Sequence, residues 1–227
     1  MTIEQSIKPK KRLIAWLTLS RLPFHTVGVL PFLLGMVIAW NQGYPLSWGV
    51  GILATMAVVL IMLTTYYAGE YYDYETDSLN MEYNKFSGGT RVLQAGLIPK
   101  QHVLLVALLA LATAGAIGLI LQFYFKTGPL TIPLGLFGIL CGYFYTSRPI
   151  RWAYRGVGEV LIGICYGWLT INTAYYLQTG TFGIIPTLVS IPIGISIFLV
   201  ILINEFPDYT SDRASGKNNL VVRLGQD

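Results

Sequence analysis

The stretch Tyr66–Asp77, Tyr-Tyr-Ala-Gly-Glu-Tyr-Tyr-Asp-Tyr-Glu-Thr-Asp, decides the fold of this chain because it ends a long apolar run with acidic side chains. Glu70, Asp73 and Asp77 in this first acidic motif are spaced i, i+3 and i+7. On a helix that spacing puts the three carboxylates along one face. We therefore expect a helix that presents an acidic face where it leaves an apolar environment.

A second acidic motif, Asn204–Asp212, repeats the pattern at the end of another apolar run. Its Glu205, Asp208 and Asp212 each lie 135 residues after the corresponding position of the first motif. This constant offset indicates an internal repeat of two helical units. Apolar segments follow the first motif, whereas the sequence stops fifteen residues after the second, so we expect a second unit truncated at its C-terminus.

The composition is that of an integral membrane protein. Of the 227 residues, 54% are hydrophobic and only 11% are charged, whereas soluble domains carry about 25% charged residues. Six apolar runs are long enough to cross about 30 Å of hydrocarbon as helices. They are Leu22–Trp40, Ser47–Ala68, Val103–Phe125, Leu130–Thr146, Gly156–Leu177 and Phe182–Ile203. The sequence therefore predicts an all-α integral membrane protein, a multi-helix bundle, and excludes a soluble fold.

The positive charges predict the orientation of these helices. Fourteen of the fifteen lysines and arginines lie at the N-terminus, between spans two and three, between spans four and five, or near the C-terminus, and only Lys126 lies on the other side. Positive loops face the cytoplasm. We expect a multi-pass protein of the cell (inner) membrane with both termini and both acidic motifs cytoplasmic.

The predicted organisation has three parts. Residues 1–20 form an amphipathic segment on the cytoplasmic surface, residues 21–150 a first four-helix unit with the first acidic motif, and residues 151–227 an incomplete second unit with the second motif. Two polar loops join the spans. Ser87–Arg91 is either an anion-binding loop or an ordinary turn, and Gly142–Arg155 is either a positively charged interfacial anchor or a lid over an anionic substrate.

The acidic motifs need a compensating cation. Carboxylates at the C-terminal end of a helix oppose its dipole, and like charges one turn apart repel. A merely interfacial role therefore fits poorly. Oxygen ligands without a Cys or His cluster favour Mg²⁺ over zinc, and Mg²⁺ completes its shell with water and substrate phosphates.

This donor set suggests a chemistry. Mg²⁺ ions held between two facing motifs would offset the charge of a diphosphate leaving group as its carbon–oxygen bond breaks. If the diphosphate is attached to an allylic chain, an allylic cation forms, which tyrosine rings shield from water and stabilise. Candidate tyrosines are Tyr66, Tyr67, Tyr71, Tyr72 and Tyr145.

Several segments together resemble the UbiA-type membrane prenyltransferase superfamily, whose first motif reads approximately Asn-Asp-x-x-Asp-x-x-x-Asp. Besides the two acidic motifs, the similar segments are Arg21–Pro23, Leu30–Gly35, Gly89–Gly96, Tyr145–Pro149, Tyr154–Glu159 and Asp212–Gly225. The resemblance covers nearly the whole chain. Within the superfamily, the Tyr-Arg-Gly-x-Gly-Glu segment and the C-terminal ending are most similar to 1,4-dihydroxy-2-naphthoate prenyltransferases.

The resemblance implies a set of site residues. The implied metal ligands are Glu70, Asp73, Asp77, Asn204, Asp208 and Asp212. The implied substrate-binding residues are Arg21, Lys85, Arg91, Tyr145, Arg148 and Arg151. The implied catalytic residues are Asp73, Asp208, Arg91 and Arg148. Two features depart from the family: Gly69 stands where the motif has asparagine, and about six helices are present where family members have about nine.

The leading hypothesis is a Mg²⁺-dependent transfer of a polyprenyl group from an allylic diphosphate to a small aromatic acceptor of quinone biosynthesis, with 1,4-dihydroxy-2-naphthoate favoured. The partners are these substrates and the lipid bilayer, and no nucleic acid is expected. Competing acceptors are 4-hydroxybenzoate, homogentisate or a glycerol lipid. Two further hypotheses are an inactive truncated homologue and a non-enzymatic cation transporter, although a transporter would place its carboxylates near mid-bilayer.

Overall fold

The computed structural model describes residues 9–80, 83 and 88–226, and within this part of the chain it contains eleven α-helices and no β-strand. The α-helices are α1 Pro9–Leu19, α2 Thr26–Asn41, α3 Trp48–Tyr72, α4 Tyr74–Leu79, α5 Lys100–Leu119, α6 Thr131–Tyr143, α7 Gly158–Ile164, α8 Thr170–Thr179, α9 Ile184–Glu205, α10 Tyr209–Ala214 and α11 Leu220–Leu224. Short 3₁₀ turns lie at Leu22–His25 and Trp152–Tyr154, and π-helical turns lie at Ile120–Tyr124 and Cys165–Leu169.

Five helical segments of the described chain are long and apolar enough to cross a membrane. They are Pro9–Asn41, Trp48–Tyr72, Lys100–Tyr124, Gly158–Thr179 and Ile184–Glu205. The predicted all-α membrane bundle is therefore confirmed, with one correction. The predicted span Leu130–Thr146 contains only the 13-residue helix α6, about 20 Å long, which is shorter than the hydrocarbon core. Leu130 precedes the helix, and the chain enters a turn after Tyr143, so four of the predicted residues lie outside the helix.

The first membrane segment is interrupted between α1 and α2. Arg21 takes a left-handed conformation with φ of 47°, and Pro23 lies in the 3₁₀ turn that follows. The buried face of α1, with Ala15 and Leu19, packs in one cluster with Tyr67 and residues of α5. Of the predicted amphipathic segment 1–20, the first eight residues lie outside the described part of the chain. The break positions Arg21 beside the end of α3.

Close helix contacts build the bundle. Helix α3 packs most extensively against α5, α2 against α8, and α9 against α7 and the π-helical turn after it. Gly163 and Gly167 contact Gly194, where a Cβ on Gly167 would lie 2.6 Å from the Gly194 Cα. Glycines spaced four residues apart on one helix face permit such close contact between helices. Large apolar side chains such as Leu30, Ile184 and Ile203 remain exposed on the outside, as expected of a surface that faces lipid.

The two acidic motifs lie at the same end of the bundle. Helices α3 and α9 each end at a motif, and the short helices α4 and α10 continue them and contact each other. The bounds of α4 and α10 differ by the same 135 residues as the acidic positions. The sequence repeat is thus a repeat of local structure that brings the two motifs face to face.

Candidate functional site

A cavity of about 460 Å³ runs from the two acidic motifs into the apolar interior of the bundle. Its polar end is lined by residues of both motifs, among them Asp73, Asp77, Asn204 and Asp208. Its interior wall is mostly apolar and includes Ala54, Val58, Ile61, Met62, Leu161 and Ile197. One continuous space therefore joins a charged rim to a region that suits a hydrocarbon chain.

Glu70, the first acidic position of the first motif, is buried and fully engaged by the protein. Its Oε1 accepts hydrogen bonds from Arg21 Nη2 at 2.9 Å and from the Thr90 backbone N–H at 2.9 Å. Its Oε2 accepts from Thr90 Oγ1 at 2.9 Å. Through these hydrogen bonds, Glu70 at the end of α3 holds Arg21 and Thr90 in place. Both of its oxygens are already occupied by protein donors.

Asp73 and Asp77 present their carboxylates to the rim of the cavity. Asp73 Oδ1 accepts a hydrogen bond from the Tyr154 hydroxyl at 2.8 Å. Asp77 packs against Gly89, where the left-handed φ of 74° and a Cβ only 2.2 Å from Asp77 Oδ2 both require glycine. Burial raises the pKa of Asp77 to about 8, with further contributions from the negative charges of Asp73 and Glu70.

The second motif is held by amide and ammonium donors. Asn80 Nδ2 donates to Asp208 Oδ1 at 2.7 Å, which ties the second motif directly to the end of α4. Asp212 Oδ2 accepts from Asn219 Nδ2 at 2.8 Å and forms an ion pair with Lys217 Nζ at 3.2 Å. Burial raises the pKa of Asp212 to about 6, although Lys217 acts in the opposite direction.

Lys217 is a site residue that the sequence reasoning missed. It lines the cavity, and its side chain is only 18% exposed. Burial acts to lower the pKa of Lys217, but the carboxylates of Asp212 and Asp73 outweigh burial and raise this pKa well above its usual value. A fixed positive charge therefore lies between the motifs. The Gly-Lys pair in the C-terminal segment is a visible signal, but its position opposite Asp73 depends on the fold.

Tyr154 was also missed as a site residue. Its hydroxyl bonds to Asp73, and burial together with the Asp73 charge raises the pKa of Tyr154 to about 12, so the phenol stays protonated as a donor. The guanidinium of Arg151 lies 3.4 Å from the centroid of the Tyr154 ring. Arg151 thus supports the residue that contacts Asp73. Arg151, a predicted substrate-binding residue, therefore lies close to the first motif but does not line the cavity.

The other predicted basic and aromatic residues lie in different places. Arg21 and Tyr145 line the cavity, and burial raises the pKa of Tyr145 above its usual value. Arg91 instead braces a loop, donating to the carbonyls of Asp77 and Asn80 with its guanidinium 3.9 Å from the Tyr83 ring centroid. Arg148 is exposed and outside the cavity wall. Lys85 lies outside the described residues.

The donor set fits a divalent cation that shares its ligands with a substrate. Among the described residues no group of three or more His, Cys, Asp or Glu side chains converges closely enough to hold a metal alone. Mg²⁺ does not need such a group, since it takes one or two carboxylates and fills its shell with water and phosphate oxygens. Asp73, Asp77 and Asp212 all have raised pKa values, caused by burial and by repulsion between neighbouring carboxylates, so a cation beside them would relieve that repulsion.

A comparison with known families identifies the family of this chain. A model of the UbiA prenyltransferase family matches residues 28–227. The chain belongs to the UbiA prenyltransferase family. The resemblance inferred from the two acidic motifs and the flanking segments is therefore confirmed, and the cavity described above belongs to a UbiA-type fold.

Similar UbiA-type relatives carry prenyltransferase names. The chain is 30% identical to a 1,4-dihydroxy-2-naphthoate octaprenyltransferase of Bacillus subtilis over 93% of this chain and 66% of that protein. It is 29% identical to the Escherichia coli protein of the same name, over 93% of this chain and 69% of that protein. It is 25% identical to a 2-carboxy-1,4-naphthoquinone phytyltransferase of Synechocystis, over 92% and 66%. The chain thus spans about two thirds of the length of these relatives.

A solved structure has the same helical architecture. It comes from work on digeranylgeranylglyceryl phosphate synthase in membranes and superposes with a TM-score of 0.69 over 95% of this chain and 70% of that one. The sequence identity is 17%, so this likeness shows the UbiA-type fold alone.

Proposed function

We propose that this protein transfers a polyprenyl group from an allylic diphosphate to a small aromatic acceptor, with 1,4-dihydroxy-2-naphthoate as the favoured acceptor and Mg²⁺ as the cofactor. The observation that carries the proposal is the single cavity that joins two facing acidic motifs to an apolar interior. The diphosphate head would lie at the rim and the prenyl chain would lie among the helices. The names of the naphthoate relatives support the choice of acceptor.

The rim residues have distinct roles in binding the diphosphate. Bound Mg²⁺ supplies positive charge that offsets the developing charge of the leaving diphosphate. Asp73, Asp77, Asp208 and Asp212 provide the oxygen donors that would hold this cation. Lys217 and Arg21, which line the same rim, hold positive charge near the leaving group without any reorganisation.

The cavity wall would control the reactive cation. When the carbon–oxygen bond breaks, the electron pair leaves with the diphosphate and an allylic cation remains among apolar and aromatic side chains. Tyr66, Tyr145 and Tyr166 line this part of the cavity. Their ring faces favour positive charge, and the enclosed wall excludes the water that would quench the cation. A ring carbon of the acceptor forms the new carbon–carbon bond with a pair of ring π electrons, and the ring becomes aromatic again when that carbon loses the proton or the carboxylate (as CO2) that it carried.

The proposed orientation places the rim at the cytoplasmic side of the cell membrane, as the distribution of lysine and arginine indicates. A single cysteine introduced at Gln42 or Thr179 should be labelled by an impermeant maleimide from outside the cell. A cysteine at Ser78 or Ser215 should be labelled only after the membrane is opened. External labelling at Ser78 would reverse the proposed orientation.

The reaction is tested with the protein in lipid nanodiscs, an allylic polyprenyl diphosphate and a panel of acceptors. We expect prenyl transfer to 1,4-dihydroxy-2-naphthoate to exceed transfer to 4-hydroxybenzoate, homogentisate and glyceryl phosphate. We expect EDTA to abolish transfer and added Mg²⁺ to restore it, because the leaving group would otherwise carry uncompensated charge. Transfer that persists in EDTA, or an absence of metal-dependent diphosphate binding, would contradict the proposal.

A further inference from the structure

One buried polar group on the cavity wall, the Thr146 hydroxyl, takes no part in the proposed binding and reaction steps. Thr146 lies in the loop after α6, is only 4% exposed and lines the cavity. Its Oγ1 has no hydrogen-bond partner among the described residues. A buried hydroxyl without a partner costs stability, so a group of this kind on a cavity wall points to a ligand that completes its hydrogen bond.

The space beside this hydroxyl comes from Gly69. A Cβ placed on Gly69 would meet nothing closer than Thr146 Oγ1, at 4.0 Å, so the absence of a side chain leaves a gap that borders the hydroxyl. Gly69 also lines the cavity. The gap and the unpartnered hydroxyl, which come from α3 and from the loop after α6, therefore belong to the same pocket.

The gap lies one helical turn from the proposed diphosphate site. The Asp73 backbone N–H donates to the Gly69 carbonyl at 2.8 Å, so Gly69 precedes Asp73 by one turn towards the apolar interior. A group bound beside Gly69 would thus lie between the acidic rim and the hydrocarbon end of the cavity. That is where an acceptor must lie to reach the first carbon of a prenyl chain whose diphosphate is at the rim.

We propose that Thr146 Oγ1 and the gap at Gly69 form the subsite for an oxygen substituent on the ring of the aromatic acceptor. This inference rests on the proposed function for the class of ligand. The threonine hydroxyl both donates and accepts, so it binds a phenolic hydroxyl or a ring carboxylate. The missing side chain at Gly69 admits the edge of the ring, and the hydrogen bond orients the ring towards the allylic carbon.

The test measures the dissociation constants of 1,4-dihydroxy-2-naphthoate and of an allylic diphosphate separately, in nanodiscs, by quenching of protein fluorescence. Thr146→Val keeps the shape and removes the hydroxyl, and we expect it to weaken acceptor binding about 3- to 10-fold. Thr146→Ser retains the hydroxyl and should restore binding to within about twofold. None of these changes should alter the affinity for the allylic diphosphate.

Two further variants sharpen the test. Thr55→Val is the matched control, because Thr55 lies outside the cavity wall and its hydroxyl already bonds to the Gly51 carbonyl at 2.8 Å. It should leave acceptor binding unchanged. Gly69→Ser places a hydroxyl in the gap within reach of Thr146, and by occupying the subsite it should weaken acceptor binding at least as much as Thr146→Val.

Thermal unfolding separates a binding role from a structural one. Because the Thr146 hydroxyl is buried without a partner among the described residues, Thr146→Val should be as stable as the parent protein or more stable while binding the acceptor less tightly. Unchanged acceptor binding by Thr146→Val, no acceptor binding by the parent protein, or a selective loss of diphosphate binding would each overturn the subsite. Failure of the allylic diphosphate to bind would instead overturn the proposed function, since the acceptor measurement is independent of it.

Discussion

The two acidic motifs have the same spacing, but the protein surrounds their corresponding positions differently. At the first position of motif one, Glu70 pairs with Arg21 and accepts two hydrogen bonds from Thr90. At the same position of motif two, Glu205 lies beside a second carboxylate, Glu159. One acid is paired with a cation, and the other shares a hydrogen bond with a second acid. The comparison shows that a repeated sequence register does not imply repeated roles.

The later positions of the motifs differ as well. Asp73 is held by a tyrosine hydroxyl, whereas Asp208 is held by the Asn80 amide and Asp212 by an ammonium and a second amide. These donors come from the loop after α6, from the end of α4 and from the C-terminal segment. Different segments of the chain therefore supply the hydrogen-bond donors of the two motifs, although the two motifs have the same spacing.

The largest expected effect comes from replacing the middle carboxylate of either motif by an amide. Asp73→Asn and Asp208→Asn should each lower the rate of prenyl transfer on the order of 10³-fold, because each weakens the cation site opposite the leaving diphosphate. Radiolabelled transfer in nanodiscs measures the effect. Glu75→Gln is the matched control. Glu75 lies between Asp73 and Asp77 in the sequence, but its side chain is exposed and does not line the cavity. Transfer by both Asn variants within tenfold of the parent would remove the two-motif mechanism.

Removing the cation between the motifs should have the next largest effect. Lys217→Met keeps most of the side-chain volume and should weaken binding of the allylic diphosphate about 10- to 100-fold, because charged hydrogen bonds contribute more than neutral ones. Arg213→Met, which removes an exposed charge nearby, should have little effect. Equal affinities of the two variants, measured by titration, would show that Lys217 serves only to hold Asp212.

The comparison of Glu70 with Glu205 is sharpened by their stabilities. Glu70→Gln should lower the free energy of unfolding by about 1–3 kcal/mol, since it leaves the partly exposed Arg21 without its counter-ion. Glu205→Gln should cost no stability, because the amide can replace the carboxyl group as the hydrogen-bond partner of Glu159. Thermal unfolding in nanodiscs of Arg21→Gln, Glu70→Gln and the double variant measures the coupling. Equal losses from Glu70→Gln and Glu205→Gln would mean that the two positions are equivalent after all.

The smallest expected effect is at the loop after α6. Arg148→Ala should change the KM for the allylic diphosphate by less than about threefold, because an exposed, solvent-screened charge contributes little. Steady-state kinetics on the parent protein and the variant make the measurement. An increase in KM of tenfold or more would indicate that this loop closes over the substrate and that the predicted catalytic role of Arg148 is correct.

Much of the architecture could be predicted from local sequence patterns. Of the six apolar runs predicted to cross the membrane, five correspond to long apolar helical segments of the structure. The length of α6 was overestimated. The aromatic residues after Tyr143 are apolar enough to extend the predicted span, but they form a turn. Lys217 and Tyr154 were missed because both act on Asp73, which lies far away from them along the chain.

The sequence by itself determined the membrane class, the helical period, the two acidic motifs and their constant offset, because hydropathy and spacing act over one or two helical turns. Only the tertiary structure decided how the carboxylates are used. It placed Glu70 against Arg21 and Thr90, and it brought Asn80 to Asp208 across 128 residues of chain. Side-chain contacts between distant segments depend on how the helices pack against one another, and no local pattern encodes that packing.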